Sequence, residues 1–254
     1  VAVKLGVKIA HVEAGLRSFD RTMPEEINRI LTDSIADYLF TPSRDGDANL
    51  ANEGIDPKRV FFVGNVMIDT LIRLLPKTNA ERACAAVGVK PGNFALATLH
   101  RPSNVDDAAT LTEIMKAMAQ VAEKMPVVFP VHPRTRARIN DLGLASLSGN
   151  VKLVEPAGYL DFLALESVAS IVMTDSGGVQ EETAYLGVPC LTLRPNTERP
   201  VTIDSGMNRL VASNTSDIVS SVNRMAAKGA VKHTIPDLWD GHASERIARI
   251  LLEQ

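Results

Sequence analysis

Ile171-Val-Met-Thr-Asp-Ser-Gly-Gly-Val-Gln-Glu-Glu-Thr-Ala-Tyr-Leu-Gly-Val-Pro-Cys-Leu-Thr-Leu193 reads as strand, tight turn, helix, loop and strand. Its first four residues run apolar or β-branched without alternation, as in a parallel strand covered on both faces. The turn Asp175-Ser176-Gly177-Gly178 lacks two Cβ atoms, so a ligand can come close to its backbone. A helix predicted over Gly178–Leu186 would aim free N–H groups and a positive dipole end at an anion such as a diphosphate. The Ser176 hydroxyl can cap that helix or donate to a phosphate. Glu181 and Glu182 are expected in its first turn, either as plain dipole complements or with one of them accepting from ribose hydroxyls. A Gly-Gly turn alone also fits a tight βα turn with no ligand.

The same alternation extends in both directions. Strands are predicted at Val7–Val12, Tyr38–Thr41, Val60–Val63, Phe94–Leu99, Val127–His132, Val151–Val154, Ile171–Thr174, Cys190–Leu193 and Arg209–Val211. Helices are predicted at Pro24–Ser34, Ser43–Asn52, Val66–Leu75, Ala108–Lys124, Gly178–Leu186, Ser216–Ala227 and Ala243–Leu252. Val1–Leu5 reads as the end of a helix with Gly6 as its C-cap. The pattern predicts an α/β protein of doubly wound, Rossmann-like domains. Pro76-Lys77-Thr78-Asn79 breaks a helix and suggests domains over residues 1–76 and 77–240, with a final helix over 241–254. Six strands follow the break and only three precede it. Three do not make a stable sheet domain of this type, so roughly 90–100 further residues, about three βα units, are expected upstream.

The chain has 254 residues, 45% of them hydrophobic and 22% charged, with a formal net charge of −3. That balance provides no general attraction to nucleic acid or an anionic membrane, so neither is an expected partner. A bound phosphate would need a local positive site. Cys84 and Cys190 form no C-x-x-C pair, which argues against a disulfide framework or a zinc site and for a cytosolic location. No apolar run reaches 18 residues, and the opening residues lack a signal-peptide core. His233 and His242 have no ligand-like spacing and read as surface or capping residues.

The block 171–193 resembles the nucleotide-binding signature of the non-hydrolysing UDP-N-acetylglucosamine 2-epimerases. His11-Val-Glu-Ala-Gly-Leu-Arg17, Met23-Pro-Glu-Glu-Ile-Asn-Arg29, Thr98-Leu-His-Arg-Pro-Ser-Asn-Val105 and Asn196-Thr-Glu-Arg-Pro200 agree in the same order, so the likeness covers essentially the whole chain. The resemblance implies a GT-B arrangement, two Rossmann-like domains facing a cleft, the first incomplete here. It implies a homodimer acting on a UDP-sugar with no metal and no cofactor. UDP would be eliminated across C1–C2 of the sugar and added back after protonation of C2 on the other face. That chemistry needs an acid and a base on opposite faces and cationic help for the departing diphosphate.

By the same resemblance Glu13 and Glu25 are the acid/base carboxylates and His100 belongs to the sugar-phosphate site. Ser176, Gly177, Gly178 and Glu182 bind UDP, Phe162 lies beside the uracil, and Arg199 positions the diphosphate. Each has a plainer reading. Glu13 can pair with Arg17 at helical spacing, and Glu25 can simply complement a helix N-terminus. His100 can be a hydrogen-bonded structural histidine, Phe162 a core aromatic, and Arg199, with Glu198, the start of a helix. Arg101 is a further phosphate candidate, and His132-Pro-Arg-Thr135 ends another strand on the ligand edge. An acidic residue and a basic residue of the family's catalytic set would both precede Val1, which leaves open a chain that binds without turnover. A GT-B glycosyltransferase, which shares the fold and the UDP domain, competes with this reading, as does a hydrolysing relative that releases UDP and free sugar. The sequence does not select the sugar.

Overall fold

The computed structural model describes residues 1–147, 149–227 and 233–253. Contacts divide the chain into two units. Val1–Arg73, Asn196–Val201 and Ile235–Gln254 form the first, and Leu74–Pro195 with Thr202–Thr234 the second.

The first unit holds a parallel sheet of three strands in sequence order: β1 (Ala10–Val12), β2 (Tyr38–Thr41) and β3 (Val60–Phe62). Leu39 packs with Ala14, Ala36 and Leu50. Tyr38 and Phe40 point the other way and join Val63, Phe61, Ile247 and Ile250, the period-two division expected of a strand. Ile247 and Ile250 come from the last helix, Ala243–Leu252, whose apolar face therefore has a partner on this sheet. Asp69 caps that helix from outside it. Its carboxylate accepts from the Ala243 N–H at 3.1 Å and from the Ser244 N–H and hydroxyl at 2.7 Å each. The single tryptophan, Trp239, is buried beside it and donates its indole N–H to the Pro42 carbonyl at 3.0 Å. Replacing Asp69 by Ala removes the acceptor for these donors and should cost the unit about 1–2 kcal/mol. Trp239 fluorescence during urea unfolding checks this, and an unmoved midpoint would show that the cap is not needed.

The second unit is a six-stranded, wholly parallel sheet. Its strands are β4 (Ala95–Thr98), β5 (Val127–Pro130), β6 (Val151–Val154), β7 (Ile171–Thr174), β8 (Cys190–Leu193) and β9 (Asn208–Val211). They lie in the order β6-β5-β4-β7-β8-β9, the two-halved order of a doubly wound fold. β4 and β7 are in register from Ala95 opposite Ile171 to Thr98 opposite Thr174. One face packs Ala95, Ala97, Phe129 and Met173 against Leu111, Ile114 and Met118 of helix Ala108–Ala122. The other packs Phe94, Leu96, Val128 and Val172 against Ala83, Ala164 and Leu165. Burial on both faces is why these strands read as unbroken apolar runs. Among the described residues no helix is long and apolar enough to cross a membrane.

Several predicted bounds shift for local reasons. The opening helical turn is a 3-10 helix, Ala2–Leu5, with Gly6 left-handed at φ 69° as its cap. β1 begins only at Ala10 because the Asp37 side chain, not a strand neighbour, takes the Ile9 N–H at 2.8 Å. β5 stops at Pro130, and His132 instead caps helix Pro133–Asp141, its ring nitrogen accepting from Arg134 N–H at 3.4 Å. Helices Ala80–Val87, Pro102–Val105, Pro133–Asp141, Tyr159–Glu166 and Pro200–Asp204 are additions to the predicted set.

Candidate functional site

In an open α/β sheet, ligands bind beyond the carboxyl ends of the strands where the strand order reverses. In the second unit that point lies between β4 and β7. The loop after β4 carries His100 and Arg101, and the turn after β7 carries Asp175, Ser176 and Gly177. Asp175 is fully buried and ties the two loops together. It accepts from the backbone N–H of His100 at 3.1 Å, the N–H of Arg101 at 3.0 Å, the Asn104 amide at 3.1 Å and the His100 ring at 2.8 Å. Burial works to raise the Asp175 carboxyl, but the His100 ring, the Arg101 N–H and the Asn104 amide outweigh it and hold it below its ordinary value. The His100 side chain remains 59% exposed, so the pin leaves its ring open to a ligand.

Helix Gly177–Leu186 begins one residue earlier than predicted. No acidic residue then lies in its first turn, and the expected placement of Glu181 and Glu182 there is corrected. Ser176 is the N-cap residue, but its hydroxyl makes no capping bond. Its N–H is taken by the Thr174 hydroxyl at 3.0 Å. Of the two roles open to the Ser176 hydroxyl, capping is therefore not the one used. Glu182 is 4% exposed and accepts from the Tyr159 hydroxyl at 2.7 Å. Burial pushes its carboxyl up, while the Tyr159 hydroxyl and the neighbouring Glu166 carboxyl pull it back. Phe162 lies on the same helix as Tyr159 and packs half-buried on the core of Phe94, Leu96 and Val172. Its own N–H donates to Gly158 O at 2.9 Å.

The first unit gathers the other candidates. Glu13 follows β1 with left-handed backbone, φ 65°, a conformation that costs an L-residue about 1–2 kcal/mol. The loop around it is fixed from below by Asp33, which is fully buried. Asp33 takes the His11 ring at 2.5 Å, the Gly15 N–H at 3.1 Å and the Arg17 guanidinium at 2.7 Å. Burial would raise the Asp33 carboxyl, but the His11 ring and Arg17 hold it below its ordinary value. Arg17 also grips Glu53 through two bonds of 2.7 Å. The suggested Glu13–Arg17 pairing is thus displaced, because residues 13–17 form turn and loop rather than helix. Gly15 has φ 79°, and a Cβ there would sit 2.4 Å from the Gly46 carbonyl oxygen, so this contact admits only glycine.

Glu25 is exposed in the first turn of helix Pro24–Ile35. Its neighbour Glu26 is the buried one, accepting from Ser18 N–H, Ser18 hydroxyl and Phe19 N–H at 2.9 Å each and pairing with Arg29. Arg199, expected at the diphosphate, groups with the first unit. Its guanidinium lies 2.7 Å from Glu198 and 3.9 Å from Glu13. The structure therefore brings His100 and Ser176 to one sheet edge, and Glu13 and Arg199 together. Sequence reasoning missed Asp33, Glu26, Asp175 and Asn104. Asp175, Glu26 and Asn104 lie inside quoted segments, whereas Asp33 lies in none of them.

The sequence matches the family profile described as UDP-N-acetylglucosamine 2-epimerase over residues 1–252. The UDP-N-acetylglucosamine 2-epimerase of Methanocaldococcus jannaschii is 44% identical over 259 residues, covering 99% of this chain and 70% of its own length. The UDP-2,3-diacetamido-2,3-dideoxy-D-glucuronate 2-epimerase of Pseudomonas aeruginosa is 43% identical, over 98% of this chain and 69% of its own. The crystal structure of the M. jannaschii UDP-GlcNAc 2-epimerase with UDP-GlcNAc and UDP superposes with a TM-score of 0.89 at 43% identity, covering 100% of this chain and 71% of that one. With a match that spans nearly the whole chain, the chain belongs to the UDP-N-acetylglucosamine 2-epimerase family.

Proposed function

We propose that this protein is an isomerase that interconverts UDP-N-acetylglucosamine and UDP-N-acetylmannosamine. The carrying observation is the β4–β7 edge of the second unit. There a buried Asp175 holds the His100 loop against the Ser176-Gly177-Gly178 turn, and the Ser176 hydroxyl is not engaged by its own helix. Such an edge suits a diphosphate, with the helix N–H groups and the His100 ring meeting its charge. Ser176, Gly177 and Gly178 hold the phosphates in this reading. Glu182 takes the ribose hydroxyls, and the backbone near Phe162 borders the uracil.

A carboxylate removes the C2 proton as the C1–O bond breaks and its electron pair leaves with UDP. This gives a C1=C2 glycal. A second carboxyl then delivers a proton to the opposite face of C2 while a UDP oxygen re-forms the bond to C1. Glu13 and Glu25 are assigned these two roles, with Arg199 orienting Glu13. A preparation incubated with UDP-N-acetylglucosamine in deuterated water should yield the 2-epimer carrying deuterium at C2, followed by proton NMR. Release of free sugar, or transfer of sugar to an acceptor, would replace this reading by a hydrolase or a glycosyltransferase. The diacetamido uronate sugar named for the P. aeruginosa relative is the second substrate for the same assay. The family resemblance further suggests a cytosolic homodimer, which sedimentation equilibrium and fractionation test.

A further inference from the structure

Glu166 closes helix Tyr159–Glu166 with no exposed surface. Both carboxyl oxygens are buried, and neither meets a hydrogen-bond donor among the described residues. An ionised carboxylate with no donor is among the least favourable groups a protein interior can hold. What faces it is another acid, the Glu182 carboxyl on helix Gly177–Leu186. The other titratable groups around it are the Tyr159 hydroxyl on its own helix and the Cys190 thiol on β8. No cation is among them, so two buried carboxylates side by side relieve the conflict only by retaining a proton. The surroundings also say which one keeps it. Burial and the nearby Glu182 charge drive Glu166 well above the ordinary carboxylate range. Burial raises Glu182 too, but hydrogen bonds from Tyr159 and from Glu166 itself pull it back toward the ionised form, whereas nothing pulls Glu166 back.

We propose that Glu166 is a positioning residue that keeps one proton and donates it to Glu182, so that Glu182, gripped by Glu166 and Tyr159, presents its free lone pairs to the ribose hydroxyls of UDP. This rests on the assignment of Glu182 to the ribose. A carboxylate with four acceptor sites and no fixed donor would turn freely; two donors on the protein side leave the ligand side defined. When Glu166 loses its proton, the grip becomes a repulsion, and UDP binding weakens toward alkaline pH. Burial pushes Cys190 up to about 12, and burial with Glu182 also raises Tyr159, so both neighbours stay neutral around neutral pH.

Calorimetry of UDP and 2′-deoxy-UDP binding between about pH 6 and 9.5, with the intact chain, tests the device. Glu166→Gln retains a neutral donor and should bind UDP within about twofold of the parent at neutral pH. It should also lose the alkaline decline that the parent shows. Glu166→Ala should weaken UDP by about tenfold or more and bring the UDP to 2′-deoxy-UDP ratio toward one, whereas loosened packing would lower both ligands equally. Ionisation of the UDP phosphates is common to all variants and cancels in the comparison. A parent and a Glu166→Gln with identical pH profiles would overturn the proposal even if Glu166→Ala does not fold. So would an unchanged UDP ratio in a folded Glu166→Ala. Glu182→Ala separates the two levels: if it leaves UDP affinity intact, the ribose assignment itself fails, whereas if it alone loses affinity, only the role of Glu166 does.

Discussion

Asp175→Ala is expected to lower the stability of the second unit by about 3 kcal/mol and to weaken UDP binding by an order of magnitude or more. The substitution leaves two backbone N–H groups and the Asn104 amide without their acceptor, and it releases the His100 ring. Asn104 also donates to the Leu193 carbonyl at 3.0 Å and accepts from the Ser213 hydroxyl at 3.0 Å. The loss therefore spreads from the β4 loop to the ends of β8 and β9. Asp175→Asn should fall between the parent and Ala, because its amide oxygen can replace one acceptor but its NH2 opposes the others. Calorimetric unfolding and UDP titration measure the two effects. A shift below about 1 kcal/mol with undiminished UDP binding would show that the two loops hold their geometry without the carboxylate. The pH dependence follows from the lowered carboxyl. Its contribution is complete above the unfolded-state value of an aspartate and is lost as pH falls through the lower folded value. Asp175→Asn should flatten the acid limb of the stability profile in that window.

Glu13→Gln is expected to reduce turnover by about 10²- to 10⁴-fold, the usual range for a lost general acid or base, with UDP affinity nearly unchanged. Glutamine matches the shape of the side chain and fits the same backbone, so the loss isolates proton transfer. Glu13→Gly gives a sharper contrast. The residue sits at φ 65°, where glycine meets no steric penalty, so this variant should gain about 1 kcal/mol of stability while losing activity. A strained glutamate where glycine would be easier supports the proposal that this side chain is held for chemistry. Deuterium incorporation at C2 and Trp239 fluorescence during unfolding provide the two readouts. An active Glu13→Gln enzyme would remove Glu13 from the mechanism, and a destabilised Glu13→Gly would show that its carboxylate braces the loop.

Sequence reading recovered most of the sheets and less of what joins them, and the reasons are physical. β4, β5, β7 and β8 are covered on both faces, so nearly every residue had to be apolar and the signal was strong. Helix Pro133–Asp141 buries only Thr135 and Ile139, too few to print a helical period among arginines. Helix Tyr159–Glu166 has the opposite difficulty, since its apolar residues, broken only by Asp161 and Glu166, go all round and mark no single face. Helix Ala80–Val87 was legible and overlooked. Asn79 caps its start by accepting from Arg82 N–H at 2.9 Å, and Gly88 ends it at φ 68°, a pair of signals hidden by the neighbouring proline. The buried ion network is another matter. His11, Arg17, Asp33 and Glu53 stand many positions apart, and no local pattern says that Asp33 will collect His11 and Arg17 or that Arg17 will reach on to Glu53. Glu25 and Glu26 make the same point within two residues: helix phase alone exposes one and buries the other against the Ser18–Phe19 loop.

The last helix has a bearing on the order in which this protein is made. Tyr38, Phe40 and Phe61 are covered by Ile247 and Ile250, which are made only after the residues of the second unit. At roughly 5–20 residues per second, that aromatic surface waits on the order of ten seconds, while the whole second unit is translated, before its cover arrives. During that interval it is open to wrong partners. A ribosome stalled before Trp239 would leave a product whose second unit can fold and whose first cannot finish.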